Sequence, residues 1–567
     1  MSDYNDRARA DIAEANPARV ITPIMRKLVA DAGVMEGRAR PEARQRAEAA
    51  RAEAVERMAE LHEQLKERLE ARGIGYHRAA TAGEATATVR RLLGDARRVA
   101  KSKSMVGEEV GLTHALRESG IDVLETDIGE YIVDIEGRGP SHITAPALHL
   151  NRGRIKEMLE RGGTTLPDDD PTRLSRFVRD IVGDFFADCD AGITGANAVI
   201  ASSGRIVAIE NEGNVSLGAS HPKKHIVITG LEKVVPDEAA ALAVLEVLAA
   251  NATAQPLTSF SNVFADPAAG QERHVVFVDN GRSGIAADPR YRDVLRCIRC
   301  GACMNGCPIY RTAGGLSYGS PYMGPIGAVL SPLIWPDGRY ADLPFASSLC
   351  GRCTEACPVG IPLHRMLLDL RADAVEAGEA GTRPEKLGWK AWATMFAGRQ
   401  RGRIASTVAR LGAGRGLHAA SGELRAGTAR GEENAAAFVP VQSIEPESAP
   451  QELEALFRHR AAALGVLVVD TVEPMEGDRL VDATGGIANT GSVVLTGENS
   501  SRRSLLGAQR IVVRLNREHI VRYPTDAGGL LGDGEALILT GASRTADIEK
   551  QIVRGIHGPE DLVVELT

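Results

Sequence analysis

Seven of the eight cysteines lie between residues 297 and 357, in two runs. Their spacings are Cys297-x-x-Cys300-x-x-Cys303-x-x-x-Cys307-Pro308 and Cys350-x-x-Cys353-x-x-x-Cys357-Pro358. Three thiolates two residues apart wrap one cubane iron–sulfur cluster, and the cysteine before the proline ligates the other cluster. A spaced cysteine pair alone would suit zinc, but a four-cysteine run that ends in Cys-Pro fits zinc poorly. The two runs therefore predict one site with two iron–sulfur clusters.

Each predicted cluster takes its ligands from both cysteine runs. Cluster one takes Cys297, Cys300, Cys303 and Cys357. Cluster two takes Cys307, Cys350 and Cys353 and is one thiolate short, because Ser347 stands at the remaining position. Cluster two is therefore either a [3Fe-4S] cluster, or a [4Fe-4S] cluster with one iron held by Ser347, water or a partner. Cys189 lies far upstream, where we interpret it as a small buried hydrophobe.

The composition excludes several classes of protein. The chain has 567 residues, which is enough for three or four domains. Its net charge of −8 gives no reason to expect nucleic acid or an anionic membrane as partner. Thiolates concentrated in one segment indicate a cofactor site in a reducing compartment and not a disulfide framework. The sequence shows neither a signal peptide nor an apolar run of about 18 residues, so we expect a cytoplasmic protein without membrane insertion.

The elements that position the cysteines alternate between helix and strand. Residues 41–72 are expected to form one long helix that packs on its own domain, since apolar residues recur at helical spacing. Further on, the pattern predicts helices over 86–93 and 106–119 and strands over 99–103 and 121–126. This rhythm indicates a parallel sheet with crossover helices. Later predictions are strands over 225–230 and 275–278, and helices over 236–254, 291–296 and 363–398, the last with Trp389 and Trp392.

Two glycine-bounded segments echo each other. Gly204 separates two β-rich runs, as a hairpin turn requires. The segment 488–494 repeats the pattern of 201–207, with Gly491 in place of Gly204. A strand-like run follows each glycine at a similar distance, which suggests an internal duplication. Near the first copy, the loop of Asn211, Glu212, Gly213 and Asn214 is either an anion or carboxylate cradle or a plain turn.

Several stretches resemble the lactate-utilization protein B family, which combines a LUD domain with an iron–sulfur domain. The likeness is carried by Cys297-Ile-Arg-Cys300-Gly-Ala-Cys303-Met-Asn-Gly-Cys307-Pro308, by 314–319, 322–327 and 349–358, and by the LUD-like stretch 192–236. The tail is similar to the lactate-utilization protein C family through residues 541–549 and 555–559. The chain thus looks like a fusion of the two families.

The resemblance implies an α/β fold in five parts. They are an N-terminal helical region (1–83), a LUD domain (84–285), a ferredoxin-like α-helical domain with two clusters (286–397), a linker (398–449) and a smaller α/β LUD-like domain (450–567). LUD domains resemble the ribose-phosphate isomerase and CoA-transferase fold. In the tail, Ser543, Arg544, Thr545 and Asp547 are possible substrate or anion contacts if they open a helix; helix capping by Ser543 or Thr545 is the alternative.

The resemblance also implies a function. Members of the family work with a cysteine-rich protein A subunit related to heterodisulfide reductases in oxidising L-lactate to pyruvate. We therefore expect an iron–sulfur electron-transfer subunit that passes electrons to a downstream acceptor. The alternatives are an electron-transfer subunit of another oxidase, acting on glycolate or glycerol phosphate, and a redox-sensing scaffold. CoA transfer would rest on fold analogy alone.

Overall fold

The computed structural model describes residues 4–15, 17–37, 42–378, 450–548 and 552–567, with a few positions between 387 and 394. The predicted linker 398–449, Trp389 and Trp392 lie outside the described residues. Residues Met1–Leu370 and Pro446–Thr567 belong to one compact unit, and Arg371–Glu445 belong to a second. No helix in the described ranges is long and apolar enough to cross a membrane.

In the described residues, four helices precede the first strand: α1 (Tyr4–Ala15), α2 (Pro17–Glu36), α3 (Ala43–Glu56) and α4 (Met58–Ala71). The prediction of one helix over 41–72 is wrong, because the chain turns at Arg57 between α3 and α4. The turn lets the two helices bury different faces. α3 packs on the helix Glu238–Thr253 and on the turn before the first cysteine, while α4 packs on the strands Ile74–Ala79 and Val234–Val235.

The upstream strands build a parallel sheet and half of a mixed sheet. In chain order they are β1 (Ile74–Ala79), β2 (Arg98–Lys101), β3 (Asp122–Glu125), β4 (Ala191–Thr194), β5 (Ala198–Ile200), β6 (Ile206–Glu210), β7 (Lys224–Gly230), β8 (Val234–Val235), β9 (Phe260–Phe264) and β10 (Glu272–Val278). The parallel sheet has the order β1-β10-β7-β4-β2-β3. The predicted parallel sheet is therefore present, but β1 places its start inside the region predicted to be helical (1–83).

Crossover helices connect these strands. They are α5 (Ala82–Leu93), α6 (Met105–Glu109), α7 (Leu112–Glu118), α8 (Ile128–Glu136), α9 (Arg152–Glu160), α10 (Pro171–Ala187), α11 (Asn214–Ser220), α12 (Glu238–Thr253) and α13 (Arg282–Ala287). The predicted helix over 106–119 is divided into α6 and α7 by the left-handed Gly111, whose φ is 64°. The alanine-rich α12 is buried along nearly its whole length, as a helix between two packed layers must be.

The cysteine segment forms short helices: α14 (Ala302–Asn305), α15 (Pro308–Ala313), α16 (Gly324–Ile334), α17 (Arg352–Glu355) and α18 (Leu363–Glu376). The predicted helix over 291–296 is a 3-10 helix, Arg292–Arg296. The domain predicted over 286–397 shares its core with other parts of the chain. Its core also contains Ile21 and Met25 of α2 and Val244 of α12, so the N-terminal helices and the LUD region close over it.

The C-terminal segment contributes α19 (Pro450–Ala463), α20 (Arg502–Leu506) and ten strands. The strands are β11 (Leu467–Val469), β12 (Arg479–Asp482), β13 (Gly485–Ile487), β14 (Ser492–Thr496), β15 (Arg510–Leu515), β16 (Ile520–Val521), β17 (Ala536–Leu539), β18 (Arg544–Thr545), β19 (Val553–Arg554) and β20 (Asp561–Leu566). Four of them form a parallel sheet, β11-β20-β15-β12. Another four join the upstream strands in the eight-stranded sheet β16-β13-β14-β17-β9-β6-β5-β8.

The eight-stranded sheet displays the predicted duplication. The hairpin β5–β6 turns at Gly204 and the hairpin β13–β14 turns at Gly491, with φ of 71° and 67°. Each hairpin has a parallel outer neighbour, and β9 and β17 pair antiparallel where the halves meet. The prediction of 450–567 as a separate domain is therefore wrong, because four of its strands belong to a sheet shared with the upstream strands. The segment is a second LUD-like half that completes a shared sheet.

We expect Gly491→Ala to loosen the C-terminal half. A Cβ at this position would meet the backbone of Ala461, whose Cα lies 2.8 Å away, and the left-handed φ adds about 1 kcal/mol of strain. Gly497→Ala is the matched control, because its φ of 59° imposes the same strain in open space. Hydrogen exchange of β13 and β14 should accelerate more in Gly491→Ala than in the control. Equal rates would contradict the packing at this turn.

Candidate functional site

The seven clustered cysteines gather in the interior of the iron–sulfur segment. Five are buried, Cys357 is partly buried and Cys350 is exposed. None of the eight cysteines, all of which lie within the described ranges, forms a disulfide. Buried free thiols in such number are unusual unless they bind a metal. Backbone N–H groups also point at two of the sulfurs: Arg299 N lies 3.4 Å from Cys297 Sγ, and Ile361 N lies 3.4 Å from Cys357 Sγ.

The thiol pKa values indicate which sulfurs are neighbours. Burial raises the pKa of Cys303, and the thiolates of Cys297, Cys300 and Cys357 raise it further. Burial raises the pKa of Cys353 to about 11, and there the neighbouring thiolates are Cys307 and Cys350. The two groups have the same members as the two ligand sets expected from the spacing. Thiolates this close repel one another, and iron ions would remove that repulsion.

The two cysteine runs share a backbone conformation. In the first, Arg299 and Gly301 flank Cys300 with φ of 64° and 78°. In the second, Leu349 and Gly351 flank Cys350 with φ of 56° and 82°. Left-handed residues turn the chain tightly, and non-glycine residues adopt that conformation only when the surroundings enforce it. The matching turns indicate that both runs have the shape of a cluster-binding loop.

Helix α3 holds both runs in place. Arg51 is buried and donates to the carbonyls of Leu295 at 2.9 Å and Arg296 at 3.1 Å, directly before Cys297. At the start of the same helix, Arg44 donates to the carbonyl of Cys357 at 2.8 Å. A single rigid helix therefore fixes the distance between cysteines that are 60 positions apart.

Aromatic side chains exclude water from the cysteine site. Tyr310, Tyr318 and Tyr322 are fully buried in the same core as the cysteines. Tyr310 donates to the carbonyl of Ser141 at 2.8 Å, and the ring of Tyr4 meets that of Tyr318 edge-on at 5.3 Å. The segment 308–349, which contains these three tyrosines, therefore covers the cysteines. A dry shell of this kind tunes the potential of a bound cluster.

A buried ion network joins the LUD region to the first cysteine loop. Glu232 accepts from Arg282 at 2.6 Å and from Arg299 at 3.2 Å. Arg282 also pairs with Glu109 at 2.6 Å. Burial alone would raise the pKa of Glu232, but the charges of Arg282 and Arg299 bring it down to about 2. Its neighbour Lys233 donates to the carbonyl of Cys297 at 3.3 Å, and burial lowers the pKa of that lysine to about 7.

A cavity of about 940 Å³ adjoins this network. Its wall includes Ile298 and Arg299 of the first cysteine loop. It also includes six of the residues predicted as contacts, from both halves of the chain: Asn211, Glu212, Asn214, Arg544, Thr545 and Asp547. Sequence positions more than 300 residues apart thus line one space. The sequence analysis did not identify Lys233, Arg299 or Glu232. Nothing in the local sequence marks these residues as part of a site.

Gly213 and Ser543 stabilise the wall of the cavity. Ser543 Oγ donates to the carbonyl of Glu212 at 2.6 Å, and the amide of Arg544 donates to the carbonyl of Asn211 at 2.8 Å. A Cβ on Gly213 would come within 2.6 Å of the carbonyl oxygen of His557. Gly213 therefore permits a close approach between the two halves at the cavity.

The structure shows how the backbone at the two predicted anion sites is used. The amides at the start of α11 are occupied, because the carboxylate of Glu210 accepts from Val215 N at 2.6 Å and from Ser216 N at 2.9 Å. Within the described residues 541–548 no helix begins. Arg544 and Thr545 form strand β18, paired with β19, so neither a helix-terminus anion site nor a helix cap forms there. The pairing of β18 with β19 outweighed the local sequence preference for a helix at this position.

Three carboxylates converge at one end of the cavity. Ligand atoms of Asp127, Glu212 and Asp547 lie within 4.8 Å of one another. Burial raises the pKa of Glu212 well above its ordinary value, and the charges of Asp127 and Asp547 raise it further. Lys103 is the nearby cation and lies 3.7 Å from Glu130. Because burial raises the pKa values of Asp127 and Glu212, these two carboxyl groups can hold protons on the cavity wall.

The remaining predicted residues lie elsewhere. Cys189 packs beside the core of α10 and donates to the carbonyl of Phe186 at 3.5 Å, as expected for a structural cysteine. Burial raises its pKa to about 11. Ser347 Oγ accepts from the amide of Leu349 at 3.1 Å, next to the exposed Cys350.

Comparison with known proteins agrees with this architecture. The family described as LUD domain matches residues 62–278 and 480–566, and the 4Fe-4S dicluster domain matches residues 293–361. Proteins named lactate utilization protein B from Bacillus thuringiensis (strain Al Hakam), Bacillus cereus (strain B4264) and Bacillus anthracis (strain A0248) are 44% identical over 335 residues, which is 58% of this chain and 70% of each relative. A crystal structure of a DUF162 family protein from Deinococcus radiodurans is 18% identical, covering 39% of this chain and 98% of its own with a TM-score of 0.23.

We expect paired alanine substitutions to show crossed ligation. Cys300→Ala and Cys357→Ala should abolish the same electron paramagnetic resonance (EPR) signal of the reduced protein, although the residues belong to different runs. Cys307→Ala and Cys353→Ala should abolish the other signal. Each variant should lose about three or four irons, and Cys189→Ala should lose none. If Cys357→Ala instead abolished the same signal as Cys353→Ala, each run would hold its own cluster.

Glu232→Gln should destabilise the protein strongly. The substitution keeps the volume but leaves Arg282 and Arg299 without their shared buried anion, a change that costs about 3–5 kcal/mol in other proteins. Glu272→Gln is the control, because that side chain is largely exposed and its pair with Lys224 spans 3.6 Å. Anaerobic urea unfolding, followed by absorption of the clusters, measures the difference. Similar midpoints for both variants would contradict a structural role for the network.

Proposed function

The chain belongs to the LUD-domain family that includes lactate utilization protein B, and from that premise we propose that it is the iron–sulfur electron-transfer subunit of a complex that oxidises L-lactate to pyruvate. The lactate role comes from the names of the relatives. The proposed partner is a cysteine-rich subunit related to heterodisulfide reductases. A second redox protein is the proposed acceptor.

The observation that carries this proposal is a difference in burial between the two cysteine sets, because the second set contains the exposed Cys350. The first set contains Cys297, Cys300 and Cys303, which are buried beside the cavity. The second set contains Cys350, which is exposed. Apart from Cys350, the cysteines of both sets belong to or pack against one apolar core. A path from the cavity, through the two proposed clusters, to the surface is what an electron-transfer subunit requires.

The residues fit two iron–sulfur clusters. Cys297, Cys300, Cys303 and Cys357 would hold cluster one, and Cys307, Cys350 and Cys353 would hold cluster two. Such clusters supply one-electron transfer at potentials set by charge, hydrogen bonds and exposure. The fourth position of cluster two, beside Ser347, decides between [3Fe-4S] and [4Fe-4S]. An exposed position there suits a ligand from water or from a docked partner.

The protein's own residues have three tasks in this proposal. Arg44 and Arg51 position the cysteine loops through α3. The buried tyrosines keep water away from the sulfurs. Oxidation of a 2-hydroxy acid to a 2-oxo acid releases two electrons and two protons. The electrons leave singly toward the acceptor, and the carboxyl groups of Asp127 and Glu212, which line the same cavity, can take up protons.

EPR with iron and sulfide analysis tests this function. The anaerobically purified full chain is measured before and after L-lactate and the cysteine-rich partner are added. Two four-iron clusters give about eight irons per chain, and the proposal expects a reduced-cluster signal only when both additions are present. About seven irons with a three-iron signal in the isolated protein would assign cluster two as [3Fe-4S].

Substrate controls separate the alternatives. Glycolate and glycerol 3-phosphate replace L-lactate in otherwise identical samples. Reduction by one of these and not by lactate would transfer the chain to another oxidase. Clusters that no substrate reduces, although dithionite reduces them, would overturn the electron-transfer proposal in favour of a redox-sensing scaffold.

A further inference from the structure

Two buried cations face the cavity with hydrogen-bonding capacity to spare. Lys233 Nζ donates one hydrogen bond within the described residues, to the carbonyl of Cys297 at 3.3 Å. An ammonium has three N–H groups. Arg299 uses Nη2 for Glu232, but Nη1 is buried without an acceptor in the part of the chain that the structure describes. Both side chains line the cavity, and only 10% of the Arg299 side chain is exposed.

Arg299 is held firmly in this position. Its backbone is left-handed with φ of 64°, and its guanidinium lies 4.8 Å from the ring centroid of Tyr322. Glu232 fixes the other side of the guanidinium at 3.2 Å. A rigid buried donor without an acceptor costs free energy unless something else accepts from it. Preorganised donors of this kind are typical of binding sites.

We propose that this chain itself binds the carboxylate of a small 2-hydroxy or 2-oxo acid, held by Lys233 and Arg299 in the cavity beside Cys297. The choice of acid rests on the proposed function, whereas the site rests on the cavity and its cations. The acid would then bind on the iron–sulfur chain and not on its cysteine-rich partner.

The charge of the cavity restricts the ligand class. A guanidinium and an ammonium together match the two oxygens of one carboxylate. The donors left over at this place, Nη1 of Arg299 and the remaining N–H groups of Lys233, suffice for one carboxylate, and the acidic Asp127, Glu212 and Asp547 of the same cavity offer no cation to a second one. A monocarboxylate is therefore favoured over a dicarboxylate or a phosphate. The volume of about 940 Å³ is far larger than a three-carbon acid, so charge rather than size selects the ligand.

Asn197 adds a neutral polar group to the same wall. Its Oδ1 accepts from the amide of Ile209 at 3.0 Å, which fixes the side chain and directs the amide nitrogen away from that bond. Asn197 lines the cavity together with Lys233. An amide N–H suits the hydroxyl or keto oxygen at carbon 2 of the acid.

The competing explanation is that Lys233 and Arg299 only balance the negative charge of the thiolates at Cys297. Arg51 donates to the carbonyls of Leu295 and Arg296, so a third cation already lies close to that loop. Compensation alone predicts no affinity for free carboxylates. Binding measurements on the protein without its partners separate the two explanations.

Isothermal titration calorimetry tests the proposal on the anaerobic, cluster-loaded full chain with no partner and no acceptor. Pyruvate, L-lactate, succinate and inorganic phosphate are the probes. We expect saturable binding of pyruvate and L-lactate, and at least about tenfold weaker binding of succinate and phosphate. No saturable binding of either monocarboxylate to the intact chain would overturn the proposal.

Variants locate the site. Lys233→Gln and Arg299→Gln should each weaken pyruvate binding by at least about tenfold, since each removes a charged hydrogen bond. Lys224→Gln is the matched control, because Lys224 lies at the start of β7, whereas Lys233 follows the end of that strand. Iron content is measured for every variant. Affinities equal to that of the unmodified chain would place the acid elsewhere and overturn the assignment.

A spectroscopic measurement does not depend on the folding of any variant. Pyruvate labelled with ¹³C at the carboxylate is added to the dithionite-reduced chain, and electron–nuclear double resonance detects coupling to the unpaired electron. The proposal expects coupling from the carboxylate carbon that excess unlabelled pyruvate removes. Saturable binding without any ¹³C coupling would mean that the acid does not lie beside cluster one.

The outcomes distinguish this proposal from the proposed function. Cluster reduction by lactate and the partner, without binding of the acid to this chain, would retain the function and place the acid on the partner. Binding without cluster reduction would retain the site and overturn the function.

Discussion

Glu232 is the buried anion on which the arrangement of the site depends. It follows β7 of the parallel sheet and pairs with Arg282 and Arg299, so one carboxylate connects the LUD region to the first cysteine loop. Its own carbonyl accepts from Arg51 of α3 at 2.5 Å. Buried charges are tolerated only when each is paired and hydrogen-bonded. The network therefore admits few other arrangements of loop, sheet and helix.

The duplicated sheet explains why a cavity exists beside this network. Pairing of β9 with β17 brings the two LUD-like halves together. The C-terminal half then places Arg544 and Asp547 against the loop of Asn211 and Glu212. Gly213 permits this contact because a side chain there would strike His557. The C-terminal half thus forms part of the cavity wall, although it contains none of the clustered cysteines.

Acidic and basic side chains both line the cavity. Lys233 and Arg299 stand at the cysteine loop, while Asp127, Glu212 and Asp547 converge elsewhere on the wall. An acid bound by its carboxylate at the cationic side would present the rest of the molecule to groups that can take up protons. The metal sites and the proton-accepting groups are then separate, which is appropriate for a reaction that releases both electrons and protons.

The sequence by itself determined the features that depend on local spacing. The cysteine intervals, the alternation of helix and strand, and the glycine turns at Gly204 and Gly491 all reflect contacts between residues close in the chain. Only the tertiary structure decided the break at Arg57, the sheet shared by both halves, and the strand at Arg544 where a helix was expected. The tertiary structure also decided that Lys233 and Arg299 face the cavity. These features arise from strand pairing and ion pairing between residues tens to hundreds of positions apart, and local periodicity carries no information about such partners.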